Sequence, residues 1–281
     1  MPLRRPFAPA LRPCGARAAL TIAAALLAIA PAARAQAPAP RGIVLADLTW
    51  QEAERVLTPE AVVVIPLGAA AKEHGPHLRL DNDLRLAEWF RGRVLAASDV
   101  VMAPTVNYHY YPAFVEYPGS THLRLETARD LIVDIVRSLA AYGPRRFYVL
   151  NTGVSTGVPL RAAQEVLRAE GLRFEFSDVL TIAADAEKQV SQQARGTHAD
   201  ELETSMMLYM HPERVDMTKA VKDDAPRGEG GLSRVRGNGK TYSPSGTWGD
   251  ATLATVEKGR VVSEAMLAGM LREIAALRGA K

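Results

Sequence analysis

The segment that most constrains the fold is Ala61-Val62-Val63-Val64-Ile65-Pro66-Leu67-Gly68. A continuous, β-branched apolar run ending in glycine reads as a strand buried on both faces, and such strands belong to parallel sheets covered by helices. In open α/β sheets, ligands bind beyond the carboxyl ends of the strands. Here that end leads into Glu73-His74-Gly75-Pro76-His77-Leu78 and then Asp83, which puts two imidazoles and two carboxylates within eleven residues on a turn shaped by glycine and proline. This donor set suits one or two divalent cations of the zinc, manganese or iron type, with a shared carboxylate able to bridge two ions. The bland alternative is a solvated loop that happens to carry histidines.

The rest of the chain alternates helix and strand. The pattern predicts a short helix over 49–55 and a helix over 83–97, with apolar residues at Leu84, Ala87, Phe90, Val94 and Leu95. A strand over 99–104 follows, then an amphipathic helix over 126–142 closed by Gly143-Pro144, a buried strand over 146–150 and a helix over 160–170. Further strands are expected over 172–176 and 179–183, an irregular glycine-rich stretch over 225–250, and a terminal helix over 251–278. No internal repeat interrupts this order. The expectation is one α/β domain with a mostly parallel central sheet, and 281 residues at 48% hydrophobic content are enough to build its core.

The amino terminus is read separately. Arg4, Arg5, Arg12 and Arg17 precede the apolar run 18–30, and Ala33-Arg34-Ala35 offers a small-x-small cleavage site. Residues 1–35 therefore read as a secretory signal peptide, 36–44 as a linker and 45–281 as the domain; the product would be periplasmic or secreted. Arg4-Arg5 with Phe7 also resembles a twin-arginine signal. The apolar run is short for a membrane anchor, so no membrane association is expected after cleavage. The only cysteine, Cys14, would leave with the peptide, which excludes disulfides and cysteine nucleophiles from the mature chain. Five arginines and no acid lie in those residues, so the formal charge of +3 falls to −2 once they are removed. No basic cluster interleaved with aromatics supports nucleic-acid binding.

Laid out in order, several pieces resemble the creatininase family of metal-dependent amidohydrolases. They are Pro66-Leu67-Gly68 leading to His74-Gly75-Pro76-His77-Leu78 and Asp83; Tyr117-Pro118-Gly119-Ser120; His198-Ala199 with Glu203-Thr204-Ser205; and Gly249-Asp250-Ala251 with Glu257-Lys258-Gly259. The resemblance implies a three-layer α/β/α sandwich, frequent homohexamers, and divalent ions that activate a water to open a carbon–nitrogen amide bond in a small-molecule substrate. It implies His74 and Asp83 as metal ligands, Asp83 bridging, with His198 handling the proton and Glu203 its companion acid; Glu201 is a lesser candidate for that role.

Two departures stand out. Lys72 occupies the place where the family usually has a glutamate, so Glu73 is expected to supply that carboxylate, because a charged lysine cannot ligate. The family's Asn-Gly-His loop reads Asn151-Thr152-Gly153, and Ser155 stands where creatininase has a glutamate ligand. His122 is the expected replacement for the lost imidazole, with His109 in reserve. His77 is either a ligand or a hydrogen-bond partner that fixes the turn. Tyr108, Tyr110, Tyr111, Phe114 and Trp248 line either a substrate pocket or the core. Two other functions stay open: a binding protein that kept the fold and lost catalysis, and a serine hydrolase built on Gly153-Val154-Ser155-Thr156-Gly157 with Asp185 and His198.

Overall fold

A computed structural model describes residues 40–279. The signal-peptide reading of residues 1–35 lies outside them. The run 62–67 forms β2, Val62–Leu67, and every one of its residues is buried. It is the middle strand of a five-stranded, wholly parallel sheet of order β1-β3-β2-β4-β5, in which β1 is Ile43–Val44, β3 Val101–Met102, β4 Arg146–Asn151 and β5 Arg173–Phe176.

Alternation along β2 explains why no polar face was visible in the sequence. Val63, Ile65 and Leu67 point into one core with Ile132, Val136, Phe147, Val149, Leu160 and Leu167, while Val62 and Val64 point into a second with Phe90, Val94, Met102, Tyr148, Met266 and Met270. The first core is covered by α3 (Leu125–Ala140) and α4 (Gly157–Ala169), beside the short α1 (Trp50–Val56). The second is covered by α2 (Asn82–Ala97) and α7 (Val256–Gly279), against which α5 (Ala184–Val190) and α6 (Glu201–Met210) pack. This is the expected α/β/α sandwich. None of the described helices is long and apolar enough to cross a membrane.

Local chemistry sets the boundaries. Helix α1 starts where the Glu52 carboxylate accepts both the backbone N–H and the hydroxyl of Thr49, at 2.8 and 2.7 Å. Two expectations need correction. The linker does not extend through residue 44, because Ile43 and Val44 pair with β3 and add an edge strand. Residues 179–183 are not a strand: the Asp178 carboxylate accepts the N–H of Leu180 at 3.1 Å and its carbonyl those of Thr181 and Ile182, which turns the chain back on itself.

The end of β2 places the site. A Cβ on Gly68 would come within 2.7 Å of the Asp83 carbonyl carbon and 2.8 Å of Ala87 Cβ, so only glycine lets the strand end abut the first turn of α2. Beyond it, Ala70 N–H donates to Asn107 and Lys72 N–H to Leu80, while Ala71 C=O accepts from Thr121, which ties this loop to two others. Gly68→Ala should therefore destabilise the protein by about 1–3 kcal/mol and displace Asp83; a denaturant midpoint equal to that of the parent would refute this close-packing account.

Candidate functional site

Asp83 lies in the first turn of α2 with 1% exposure. One carboxylate oxygen is 2.7 Å from His74 Nε2 and the other 2.7 Å from the Lys72 ammonium. His74 Nδ1 sits 2.9 Å from the Lys72 carbonyl. A proton on Nδ1 donated to that carbonyl leaves Nε2 facing Asp83 and, at 3.3 Å, Glu203 Oε1. Burial and the Lys72 charge pull the His74 pKa down, but Asp83 and Glu203 more than offset them and raise it to about 9. Asp83 itself is raised by burial and then lowered below its usual value by Lys72 and His74.

Glu203 and His198 arrive from a different part of the chain. Asp200 caps α6, accepting the N–H groups of Leu202 at 3.1 Å and Glu203 at 3.0 Å. Ala199, between the cap and His198, has φ of 47°, the one positive φ among the described non-glycine residues. This strained residue turns its N–H to Glu203 Oε2 at 2.7 Å and so locks the carboxylate. Asn82 donates to Glu203 Oε1 at 3.0 Å. Burial pushes the Glu203 carboxyl up, yet His74 and His198 hold it well below the usual range. His198 is positioned by backbone pairing with Trp248, and its ring stacks on Phe114 at 4.3 Å between centroids. Its Nε2 lies 3.0 Å from Glu73 Oε2. Glu73 is held by Ser120 Oγ, which accepts its N–H at 3.0 Å, and by the Gly75 N–H on its side chain. Gly246, at φ of 88°, packs against that carboxylate where any Cβ would collide.

His74, His198 and Glu203 are thus brought together with ligand atoms all within 4.8 Å of one another, and Asp83 and Glu73 flank them. Two imidazoles among three carboxylates, all largely buried, form a donor set that fits a zinc- or manganese-type ion.

Several expected site residues lie elsewhere. Glu201 is buried on another face of α6, where its carboxylate accepts from the N–H groups of Gln192 and Gln193 and pairs with Lys258. The reason is the start of the helix: α6 begins at Glu201 itself, so residues two apart diverge. His122 does not enter the cluster. Its Nδ1 accepts the N–H of Tyr111 at 3.1 Å within its own loop. His109 Nε2 is bound to the Ala128 carbonyl at 3.0 Å, and burial lowers its pKa to about 4. His77 supports α6 through Thr204 Oγ1 at 2.7 Å, and burial drops it to about 4 as well. Thr152 hydrogen-bonds the Leu67 carbonyl, and Ser155 donates to the Tyr110 carbonyl at 2.9 Å. Ser155 is engaged by the Tyr110 carbonyl and His198 by Glu73, so the proposed Ser155–His198 pair does not form and the serine-hydrolase reading fails. Tyr111, Phe114 and Trp248 form a buried cluster with Tyr117, whereas Tyr108 is exposed. Sequence reasoning took Lys72 only as a residue that cannot ligate, and it missed the roles of Asn82 and Ser120. A lone lysine after Ala69-Ala70-Ala71 was the available signal.

A cavity of about 370 Å³ opens beside Glu203 at the carboxyl end of the sheet, bordered by Thr152, Leu180, Glu187, Gln193 and Asp200. Burial, then the Asp200 charge, raises Glu187 to about 7.

The buried histidine–carboxylate cluster beyond the central strand of this α/β sandwich has the composition of a divalent-metal site. The family model for creatinine amidohydrolase matches residues 46–274. The mycofactocin precursor peptide peptidase of Mycobacterium ulcerans (strain Agy99) is 30% identical over 83% of this chain and 92% of its own, and the creatinine amidohydrolase of Pseudomonas putida 28% over 82% and 95%. A solved manganese form of creatininase superposes with a TM-score of 0.65 at 23% identity, covering 85% of this chain and 100% of that one; a Zn–Zn form of a creatininase variant gives 0.63 at 24%, covering 85% and 99%. The chain belongs to the creatininase family, and with it to the hydrolases that act on carbon–nitrogen amide bonds.

Folding holds the Glu187 pKa, about 4.5 in the unfolded chain, near 7, so the neutral acid is favoured; its stabilisation is full below about 4.5 and is lost as pH rises through about 7. Glu187→Gln should flatten the fall in Tm between pH 5 and 8. Parallel Tm curves for parent and variant would refute the shift.

Proposed function

We propose that this protein is an exported metal-dependent amidohydrolase acting on a small amide substrate. The observation that carries the reading is the cluster of His74, His198 and Glu203, whose ligand atoms all lie within 4.8 Å of one another, with Asp83 and Glu203 both on His74 Nε2 and Glu73 on His198. His74, Asp83 and Glu203 would hold a divalent ion of the zinc or manganese type, which makes Glu203 a ligand rather than only a companion acid. Such an ion lowers the pKa of a water toward neutrality and polarises a carbonyl oxygen.

The chain's own residues do the rest. Glu73 orients His198 through Nε2, so that His198 can take a proton from the attacking water and return it to the leaving nitrogen. Phe114 over the His198 ring limits its rotation and keeps bulk water away. Of the cluster, Glu203 alone borders the neighbouring cavity, which offers room for a substrate beside it. The named relatives differ in substrate, one a peptidase and one a creatinine hydrolase, and the 151–155 loop that departs from the family pattern contributes Thr152 to this cavity. A substrate other than creatinine follows from that change. Hexameric assembly and export through the 1–35 segment belong to the same proposal, supported by the family resemblance and by the arginine-led apolar run respectively.

The test is hydrolysis of a panel of cyclic amides, linear amides and short peptides, assayed before and after chelation. Activity should vanish with the ion and return with Mn²⁺ or Zn²⁺. Asp83→Ala should lose the ion, whereas His198→Ala should keep it and lower kcat by roughly 10²–10⁴. Binding of a panel compound with no turnover in any metal form would favour the binding-protein reading, to which the loss of an imidazole from the 151–155 loop lends weight.

A further inference from the structure

The Lys72 side chain is 6% exposed, far below the usual state of a lysine, and its surroundings account for this burial. Its ammonium lies 2.7 Å from the Asp83 oxygen that does not face His74. It also lies 4.8 Å from the centre of the Phe114 ring and 5.7 Å from that of Tyr111. A carboxylate on one side and two aromatic faces on the other form a cage for a cation, not a route to solvent. We propose that the Lys72 ammonium fills the place of a second cation at Asp83, so that this centre binds one divalent ion per chain. The inference rests on the metal-dependent reading above and specifies its stoichiometry.

Charge and ligand counts both close on one ion. Three carboxylates, Glu73, Asp83 and Glu203, are nearly or largely buried here. Lys72 and one divalent ion balance those three charges. A second divalent ion would add two uncompensated positive charges to a buried site, at a cost of several kcal/mol. It would also find few ligands. Among the described residues, His77 and His109 engage Thr204 and Ala128 through Nε2, His122 engages Tyr111 through Nδ1, none of the three joins the His74–His198–Glu203 cluster, and the 151–155 loop offers only the hydroxyls of Thr152 and Ser155, both already bonded to carbonyls. Asp83 cannot bridge two ions while Lys72 holds its second oxygen.

The experiment measures stoichiometry and affinity directly, without an activity readout. The mature chain is stripped with chelator, titrated with Zn²⁺ and separately with Mn²⁺ by calorimetry, and the loaded protein is taken through gel filtration to elemental analysis. The parent and Lys72→Arg, which keeps the charge, should each retain one ion per chain. Lys72→Met frees an Asp83 oxygen and removes a like charge, so it should bind at least about tenfold more tightly or admit a second ion. Two ions in the parent would overturn the inference and leave the metallohydrolase intact, as would equal affinity and stoichiometry in folded Lys72→Met. No ion in the parent would overturn both. Should Lys72→Met fail to fold, the parent's stoichiometry alone still decides.

Discussion

One carboxylate organises this molecule's working end. Asp83 is almost completely buried, and its two oxygens are divided between an imidazole and an ammonium. A buried, unpaired carboxylate costs several kcal/mol, and removing either partner would leave an uncompensated charge. The surrounding architecture follows from keeping that arrangement intact: a glycine at the end of β2 so that α2 can start against it, two other loops laced to residues 70–72, and Phe114 and Tyr111 closing over the lysine. Lys72 and the proton on His74 offset two of the three carboxylate charges.

The second half of the site is assembled from residues 125 positions away in the chain, and its precision comes from local strain. Asp200 caps α6, Ala199 takes a left-handed conformation, and the two together aim Glu203 at His74 while His198 turns toward Glu73. Non-glycine residues in that region cost free energy and persist only where neighbours enforce them. The sheet-end position of the site is a property of the α/β fold; which chemistry it performs depends on these particular side chains.

Much of this was legible from local pattern. The unbroken apolar run 61–68 announced a strand buried on both sides, and both of its faces do meet helices. The clustering of Glu73, His74 and Asp83 behind it marked the site, because ligand spacing within one turn is a short-range property. Residues 179–183 misled for the same reason that short apolar runs often do: hydrophobicity without length does not distinguish a strand from a turn, and Asp178 supplies a turn. Glu201 and Glu203 could be ranked but not resolved, since a one-residue change in where a helix begins redirects every side chain after it.

From sequence alone came the α/β class, the strand that carries the site, and membership of a metal-dependent hydrolase family, all set by periodicity and by motifs that are contiguous in the chain. The tertiary structure decided which residues meet. It withdrew His122 into a hydrogen bond with its own loop, paired Glu73 with His198, and delivered Lys72 to Asp83. A charged side chain on a four-carbon stem reaches different partners from the same backbone position, and only the packing of distant loops around it selects the one it finds.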